Sequence, residues 1–168
     1  MSADVFNTAM AVIRFAVGVV FLAHGIKHFR NRQKTMDWAA SIGLRSPTIQ
    51  WMFMTFAEIG IGIGFLAGFL TSFAAAGLVA MMLGAFWTVH RFAGFWITAR
   101  PDEGYEYVFV LVAAAVAVAL LGPGEWSVDH ALEIASDFDG TTGAVIVAAG
   151  FLAGVVQLTV FYRRPPRV

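Results

Sequence analysis

The chain has 168 residues, of which 59% are hydrophobic and 13% charged, and its formal net charge is zero. Charged residues make up about a quarter of an ordinary soluble domain, so this composition argues against a water-soluble fold and predicts an integral membrane protein. The neutral charge balance gives no indication of nucleic-acid binding, and the absence of cysteine excludes disulfide exchange and thiolate-bound metal clusters.

Five hydrophobic segments approach the length of roughly 20 residues that a helix needs to cross a bilayer. In chain order they cover about residues 5–23, 49–70, 73–92, 105–121 and 142–161. Only Thr71 and Ser72 separate the second segment from the third, which predicts a tight antiparallel hairpin. The predicted fold class is an all-α integral membrane protein, with a four-helix transmembrane bundle and a fifth C-terminal transmembrane helix.

The predicted connections complete a single membrane domain: a four-helix core at about residues 5–122, an outer segment at 123–141 and the extra helix at 142–162. The outer segment is acidic and contains no Lys or Arg. Within it, Ser127 is expected to cap a short helix that reaches Ser136, and Asp129 to cap a turn or helix. Residues 36–44, before Pro47, predict another short helix at the membrane interface.

Lys and Arg residues predict the orientation of the chain. With five spans, all of them except Arg14 fall on one side: Lys27, Arg30, Arg32, Lys34, Arg45, Arg91, Arg100, Arg163, Arg164 and Arg167. Because such residues are enriched in cytoplasmic loops, we expect the N-terminus outside and the C-terminus in the cytoplasm. We expect anionic lipids to bind at Lys27, Arg30, Arg32 and Lys34, with protein docking as the alternative.

Several motifs resemble those of the DoxX family of small bacterial membrane proteins. They are Arg14-Phe-Ala-Val-Gly18, Phe21-Leu-Ala-His24-Gly25-Ile-Lys27, the glycine-rich run from Glu58 to Thr71, Glu106-Tyr107, and Gly122-Pro-Gly-Glu-Trp-Ser127-Val-Asp129. The resemblance implies four helices in the bacterial plasma membrane and a quinone-linked or redox-associated role. Some relatives are membrane subunits of a thiosulfate:quinone oxidoreductase, and others are linked to oxidative-stress complexes. The fifth helix departs from the family pattern.

Two charged residues lie inside the predicted spans. Arg14 is about ten residues into the first and Glu58 about nine into the second, so both are predicted near mid-membrane depth. An unpaired charge there costs at least roughly 2.5–3.5 kcal/mol. One interpretation is an ion pair that locks the helices together. The other assigns Arg14 to bind an anionic or carbonyl-bearing ligand and Glu58 to catalytic proton exchange.

A second polar layer is predicted nearer the cytoplasm, where His24, His90 and Glu106 reach similar depth. Imidazole and carboxylate groups can exchange protons with quinone oxygens, so Glu106 is a second candidate for proton exchange. Trp87 or Tyr107 would pack against the quinone ring. The alternative interpretation is that these are interfacial polar residues without a ligand.

No tight metal-binding motif is present, so no metal is assigned. The alternative ligand set is His24, His28, His90 and Glu106, because two of these histidines are four residues apart. Small-residue repeats at Gly60, Gly64 and Gly68, and at Gly150 and Gly154, allow close helix packing. The second repeat leaves the fifth helix either peripheral or joined to a neighbouring subunit in a homo-oligomer.

The leading hypothesis is a redox-associated membrane subunit that binds a quinone or a similar lipid-soluble ligand in a polar bundle interior. A second hypothesis is a non-catalytic anchor whose basic loop recruits a soluble oxidoreductase, with a membrane redox protein as another partner. A third is a small proton-coupled transporter, although no inverted repeat or broken helix supports it.

Overall fold

A computed structural model describes residues 2–164; Arg167 of the predicted basic tail lies outside this range. The helices are α1 (Ala3–Arg30), α2 (Arg32–Ser41), α3 (Pro47–Ala67), α4 (Thr71–Ala85), a π-helical turn (Phe86–His90), α5 (Arg91–Ala93), α6 (Glu106–Leu121), α7 (Val128–Ala131), α8 (Ala135–Phe138) and α9 (Gly140–Phe161). The fold is an all-α membrane bundle, as predicted.

Within residues 2–164, four helical segments are long and apolar enough to cross a membrane: Ala3–Arg30, Pro47–Ala67, Thr71–Ala93 and Gly140–Phe161. The remaining predicted span is α6, which is apolar but has only 16 residues. The predicted segments therefore all correspond to helices. The largest difference is in α1, which runs seven residues beyond its predicted end at Ala23 and reaches Arg30.

Helices α1 and α3 pack closely because glycines on both helices face the partner. A Cβ added at Gly18 would lie 2.7 Å from the Leu66 side chain, and one at Gly62 would lie 2.6 Å from the Leu22 nitrogen. A Cβ at Gly25 would lie 3.2 Å from the Glu58 Cβ. This antiparallel register aligns residues 18–25 of α1 with residues 58–66, in the second half of α3.

Helix α9 is an integral part of the bundle. It packs against α4 and α6, and Gly150 and Gly154 face Ala76 and Ala80 of α4. Added Cβ atoms at these glycines would meet the α4 backbone. The prediction of a peripheral helix or a subunit contact through this repeat is therefore wrong, because the small residues are used within the chain.

The two ends of the bundle differ in charge. At the acidic end, the 122–139 connection covers the ends of the helices, and Asn7 and Glu125 exchange two hydrogen bonds of 3.0 and 2.9 Å. In place of one helix over 127–136, α7 and α8 form two short helices, and Ser127 caps α7 as predicted.

The basic end carries α2 and the end of α9. The Arg45 amide donates to the Phe161 carbonyl and the Arg163 amide to the Gly43 carbonyl, each at 2.8 Å. The C-terminal end of α9 thus lies beside the α2–α3 connection. This pairing is the one expected for five helices that alternate in direction.

Candidate functional site

A cavity of about 660 Å³ lies at the basic end, between α1, α3, α4, α6 and α9. Its wall is mostly apolar, and the polar side chains on which the argument depends are His24, His28, Gln50, Glu58, His90 and Tyr107. Three of the predicted ligand-binding residues, His24, His90 and Tyr107, therefore line one space. Glu58 lines it too, although the sequence had placed it in another layer.

His28 and Glu58 meet across the α1–α3 interface. His28 Nε2 lies 3.6 Å from Glu58 Oε2, and the two side chains are 16% and 8% exposed. His24 completes the group from one turn earlier on α1, since one ligand atom of each residue lies within 4.8 Å of the others. The i, i+4 spacing places the two imidazoles on one helix face.

Neighbouring side chains fix the orientation of the His28 ring. Its Nδ1 lies 3.0 Å from Thr35 Oγ1 on α2, and the ring stacks on Trp38 with 6.5 Å between centroids. The Trp51 indole N–H donates to the His28 carbonyl at 3.0 Å. Helix α2 thus supports this side of the cavity, a role that the sequence prediction of an interfacial helix did not include.

His90 and Tyr107 form a second polar group on the cavity wall. Tyr107 Oη lies 2.6 Å from His90 Nε2, and His90 Nδ1 lies 2.6 Å from the Glu103 carbonyl. A carbonyl oxygen only accepts, so His90 Nδ1 carries hydrogen and donates to Glu103. In neutral His90, Nε2 is then the acceptor, and Tyr107 donates to it.

Gln50 and Gln157 join α3 to α9 at the cavity. The Gln157 side-chain amide donates to Gln50 Oε1 at 2.9 Å, and Gln50 is buried. The sequence prediction included neither residue in the site. Both could have been found as amide side chains inside apolar helices, where a buried polar group needs a partner.

Arg14 lies at the opposite end of the bundle from this cavity. Its Nη2 donates to the Trp126 carbonyl at 2.5 Å, and its guanidinium packs on Gly68. Glu58 is level with Gly25, eleven residues from Arg14, or about 16 Å along the helix at about 1.5 Å per residue. The prediction of an Arg14–Glu58 layer at one depth is therefore wrong, and so is Arg14 as a ligand of the same site.

Trp87 and Glu106 are not among the described residues that line the cavity. Trp87 is 41% exposed and stacks under Arg91, whose guanidinium carbon is 4.0 Å from the ring centroid. A π-helical turn includes about one more residue than an α-helical turn, so Trp87 and His90 no longer share a face. Glu106 accepts a 3.0 Å hydrogen bond from the Ile97 amide and organises the 94–105 connection. The structure therefore gives no support to ring packing by Trp87 or to proton exchange by Glu106 at this cavity.

The alternative metal set is likewise changed by the structure. Both ring nitrogens of His90 already have hydrogen-bond partners, and Glu106, the first residue of α6, accepts from the Ile97 amide. His24 and His28 of that set do lie together, with Glu58 as the carboxylate beside them.

Comparison with known proteins agrees with this architecture. The family model of DoxX matches residues 9–91, a range that runs from α1 to the start of α5. The chain belongs to the DoxX family. No curated protein and no solved structure matches it.

The DoxX match covers only part of the cavity wall. His24, His28, Glu58 and His90 lie within the matched residues, whereas Tyr107 lies on α6 beyond them. Gln157 on α9 lies beyond the match as well. The cavity therefore combines the matched DoxX segment with residues from the rest of this chain.

Proposed function

We propose that this DoxX-family protein is a redox-associated integral membrane subunit that binds a quinone, or a similar lipid-soluble ligand, in the cavity at its basic end. The observation that carries the proposal is the His90–Tyr107 pair on the wall of a mainly apolar cavity. An apolar space of this kind suits a ring, and a few placed polar groups suit its oxygens.

The cavity also fits a quinone in size and chemistry. Its volume of about 660 Å³ is within the roughly 300–1,000 Å³ of small-molecule sites. Aromatic and sulfur-containing side chains, Phe21, Phe53, Met54 and Met81, contribute apolar surface for a ring. Polar groups come from separate helices: His28 and Glu58 from α1 and α3, and Tyr107 from α6.

A bound quinone would supply the two-electron chemistry, and the chain would supply proton positions. Tyr107 can pass its hydroxyl proton to His90 Nε2 over 2.6 Å and accept another from the cavity. The Glu103 carbonyl holds His90 in the tautomer that can accept this proton. Glu58 offers a carboxylate for a second proton at the same cavity.

The proposal is tested by binding a short-tail benzoquinone or naphthoquinone to the full chain in lipid nanodiscs. Trp38 lines the cavity, and Trp51 donates a hydrogen bond to the His28 carbonyl, so quenching of tryptophan fluorescence should report binding of the quinone ring. We expect saturable quenching that Tyr107→Phe weakens at least roughly tenfold, the equivalent of about 1.4 kcal/mol. Quenching that rises linearly without saturation, or equally in both proteins, would reject a specific site.

A second candidate function is supported by the exposure of the basic side chains around the α1–α2 connection. Lys27, Arg30, Arg32 and Lys34 are all exposed around the end of α1 and the start of α2. As a membrane anchor, the chain would bind an acidic surface of a soluble oxidoreductase through these residues. Co-purification from native membranes should then recover a soluble protein that Arg30→Gln and Arg32→Gln together release. Quinone binding should be unchanged, because neither arginine lines the cavity.

We also propose that the basic end faces the cytoplasm of a bacterial plasma membrane, because Lys and Arg are enriched there. The cysteine-free chain makes this simple to test with single cysteines. Asp37→Cys on α2 and Asp137→Cys on α8 are exposed at opposite ends. In intact spheroplasts, an impermeant maleimide should label only the second variant, and labelling of only the first would reverse the orientation.

A further inference from the structure

Three metal-binding groups converge at one point of the cavity wall. One ligand atom each of His24, His28 and Glu58 lies within 4.8 Å of the other two. His28 Nε2 and Glu58 Oε2 lie 3.6 Å apart, which is longer than a hydrogen bond. A direct hydrogen bond therefore does not explain why these groups face each other.

The hydrogen-bond network around His28 presents a lone pair to this point. The Thr35 hydroxyl donates to the Asn31 carbonyl at 3.1 Å, so its single hydrogen is used. His28 Nδ1, 3.0 Å from Thr35 Oγ1, must then donate to that oxygen. In the neutral ring this leaves Nε2 as a bare acceptor directed at Glu58. A ligating histidine is usually held in this way, with its other nitrogen donating to a neighbour.

Glu58 is an acceptor without a donor. Its side chain is 8% exposed, and Oε2 is buried with no hydrogen-bond partner among the described residues. Burying an unpaired carboxylate is costly, and the opposing Nε2 lone pair does not relieve this cost. A cation between the two atoms would satisfy both of them.

We propose that His24, His28 and Glu58 bind a divalent transition-metal ion of the Zn²⁺ type. Imidazole and carboxylate are ordinary ligands of Zn²⁺, at about 2.0–2.2 Å from the metal, which places tetrahedral ligand atoms roughly 3.4 Å apart. The 3.6 Å His28–Glu58 distance already matches this spacing. His24 is exposed and free to approach, since it makes no hydrogen bond among the described residues.

The surroundings favour a three-ligand site with an open position. Two histidines and one carboxylate from the protein leave a coordination position for water or a ligand oxygen, and that position faces the cavity. On the cavity wall, the positive charge of Lys27 disfavours binding of a cation, whereas the negative charges of Asp102 and Glu103 favour it. The inference rests on the cluster alone and does not depend on quinone binding.

The test is a Co²⁺ titration of the full chain in quinone-free detergent, purified through a tag without histidine. Absorption in the visible range reports the ligand field, Zn²⁺ is the competitor, and elemental analysis gives the stoichiometry. We expect one Co²⁺ per chain, displaced by Zn²⁺. The exposed His24 makes His24→Gln the variant least expected to disturb folding, and it should weaken binding at least tenfold, as should Glu58→Gln.

Controls separate this site from nonspecific binding to histidine. His90→Gln and His130→Gln remove the other two histidines and should leave Co²⁺ affinity within about twofold of the original. Thr35→Val removes only the group that orients His28 and should reduce affinity roughly 10–100-fold. No saturable Co²⁺ binding, or binding retained in folded His24→Gln and Glu58→Gln proteins, would overturn the proposal.

Discussion

Tyr107 on α6 and His90 at the end of the π-helical turn share a 2.6 Å hydrogen bond at the cavity wall. His90 Nδ1 donates a hydrogen bond to the Glu103 carbonyl, so in the neutral ring the Tyr107 hydroxyl donates to Nε2. Their rings meet nearly edge to face, with 5.0 Å between centroids. The bond joins α6 to the end of α4 and fixes one side of the proposed quinone site.

Tyr107→Phe should therefore destabilise the protein as well as weaken the binding of a quinone. The change leaves His90 Nε2 buried without a donor, which costs about 1–3 kcal/mol. Tyr105→Phe is the matched control, because the Tyr105 ring packs on Phe86 and Phe95 and its hydroxyl makes no hydrogen bond among the described residues. Thermal unfolding in one detergent should show a lower midpoint for Tyr107→Phe only; equal midpoints would contradict the assigned bond.

Arg14 and Glu58 should behave as independent sites. Arg14 donates to Trp126 at the acidic end, whereas Glu58 faces His28 at the cavity. Substitutions more than roughly 7–10 Å apart usually add within about 0.5 kcal/mol. We expect the unfolding free energies of Arg14→Met, Glu58→Gln and the double variant to show that additivity. A coupling energy above about 1 kcal/mol between the two substitutions would instead support the ion pair that the sequence suggested.

The wrong depth of Glu58 has a physical explanation in α1. Hydropathy predicted the ends of the spans well because apolar side chains must match the bilayer thickness. It ended α1 at Ala23, however, while the helix continues through His24 and His28 to Arg30. Because the membrane depth of each residue was counted from the predicted helix ends, Glu58 was wrongly predicted at the depth of Arg14. The register is set by contacts such as Gly62 on Leu22, which a single sequence does not indicate.

The partners of the buried charges were also beyond sequence reasoning. Arg14 uses the Trp126 backbone carbonyl, and every residue offers a carbonyl, so nothing in the sequence marks that one. Trp87 was placed beside His90 from regular α-helical geometry, and the π-helical turn removed that relation. Residue type did identify His24, His90 and Tyr107 as cavity residues, because polar side chains in apolar helices are confined to the bundle interior.

Asp129 should be a major stabilising residue of the acidic end. It is 3% exposed and accepts from the Leu70 amide, the Thr71 amide and the Thr71 hydroxyl at 2.7–2.9 Å. It thus supplies from the distant connection the N-terminal cap of α4 that Leu70 cannot provide. Asp129→Ala should cost roughly 2–3 kcal/mol of unfolding free energy, since buried donors lose a charged acceptor. Asp137→Ala, an exposed carboxylate of α8, should change it by less than about 0.5 kcal/mol.

Gly150 and Gly60 should respond in opposite directions to the same added methyl group. A Cβ at Gly150 would lie 2.4 Å from the Ala76 carbonyl of α4, so α9 must move away. A Cβ at Gly60 would have no atom of the described part of the chain within 4 Å. Gly150→Ala should destabilise the protein by about 1–3 kcal/mol through overpacking. Gly60→Ala should be neutral or stabilise by up to about 1 kcal/mol, since alanine is the better helix former. Thermal unfolding of both variants in one detergent measures the difference. If Gly60→Ala destabilised the protein, this face of α3 would pack against a molecule outside the chain, such as a second copy. Comparing the oligomer size of Gly60→Ala with that of the unsubstituted protein would test that contact.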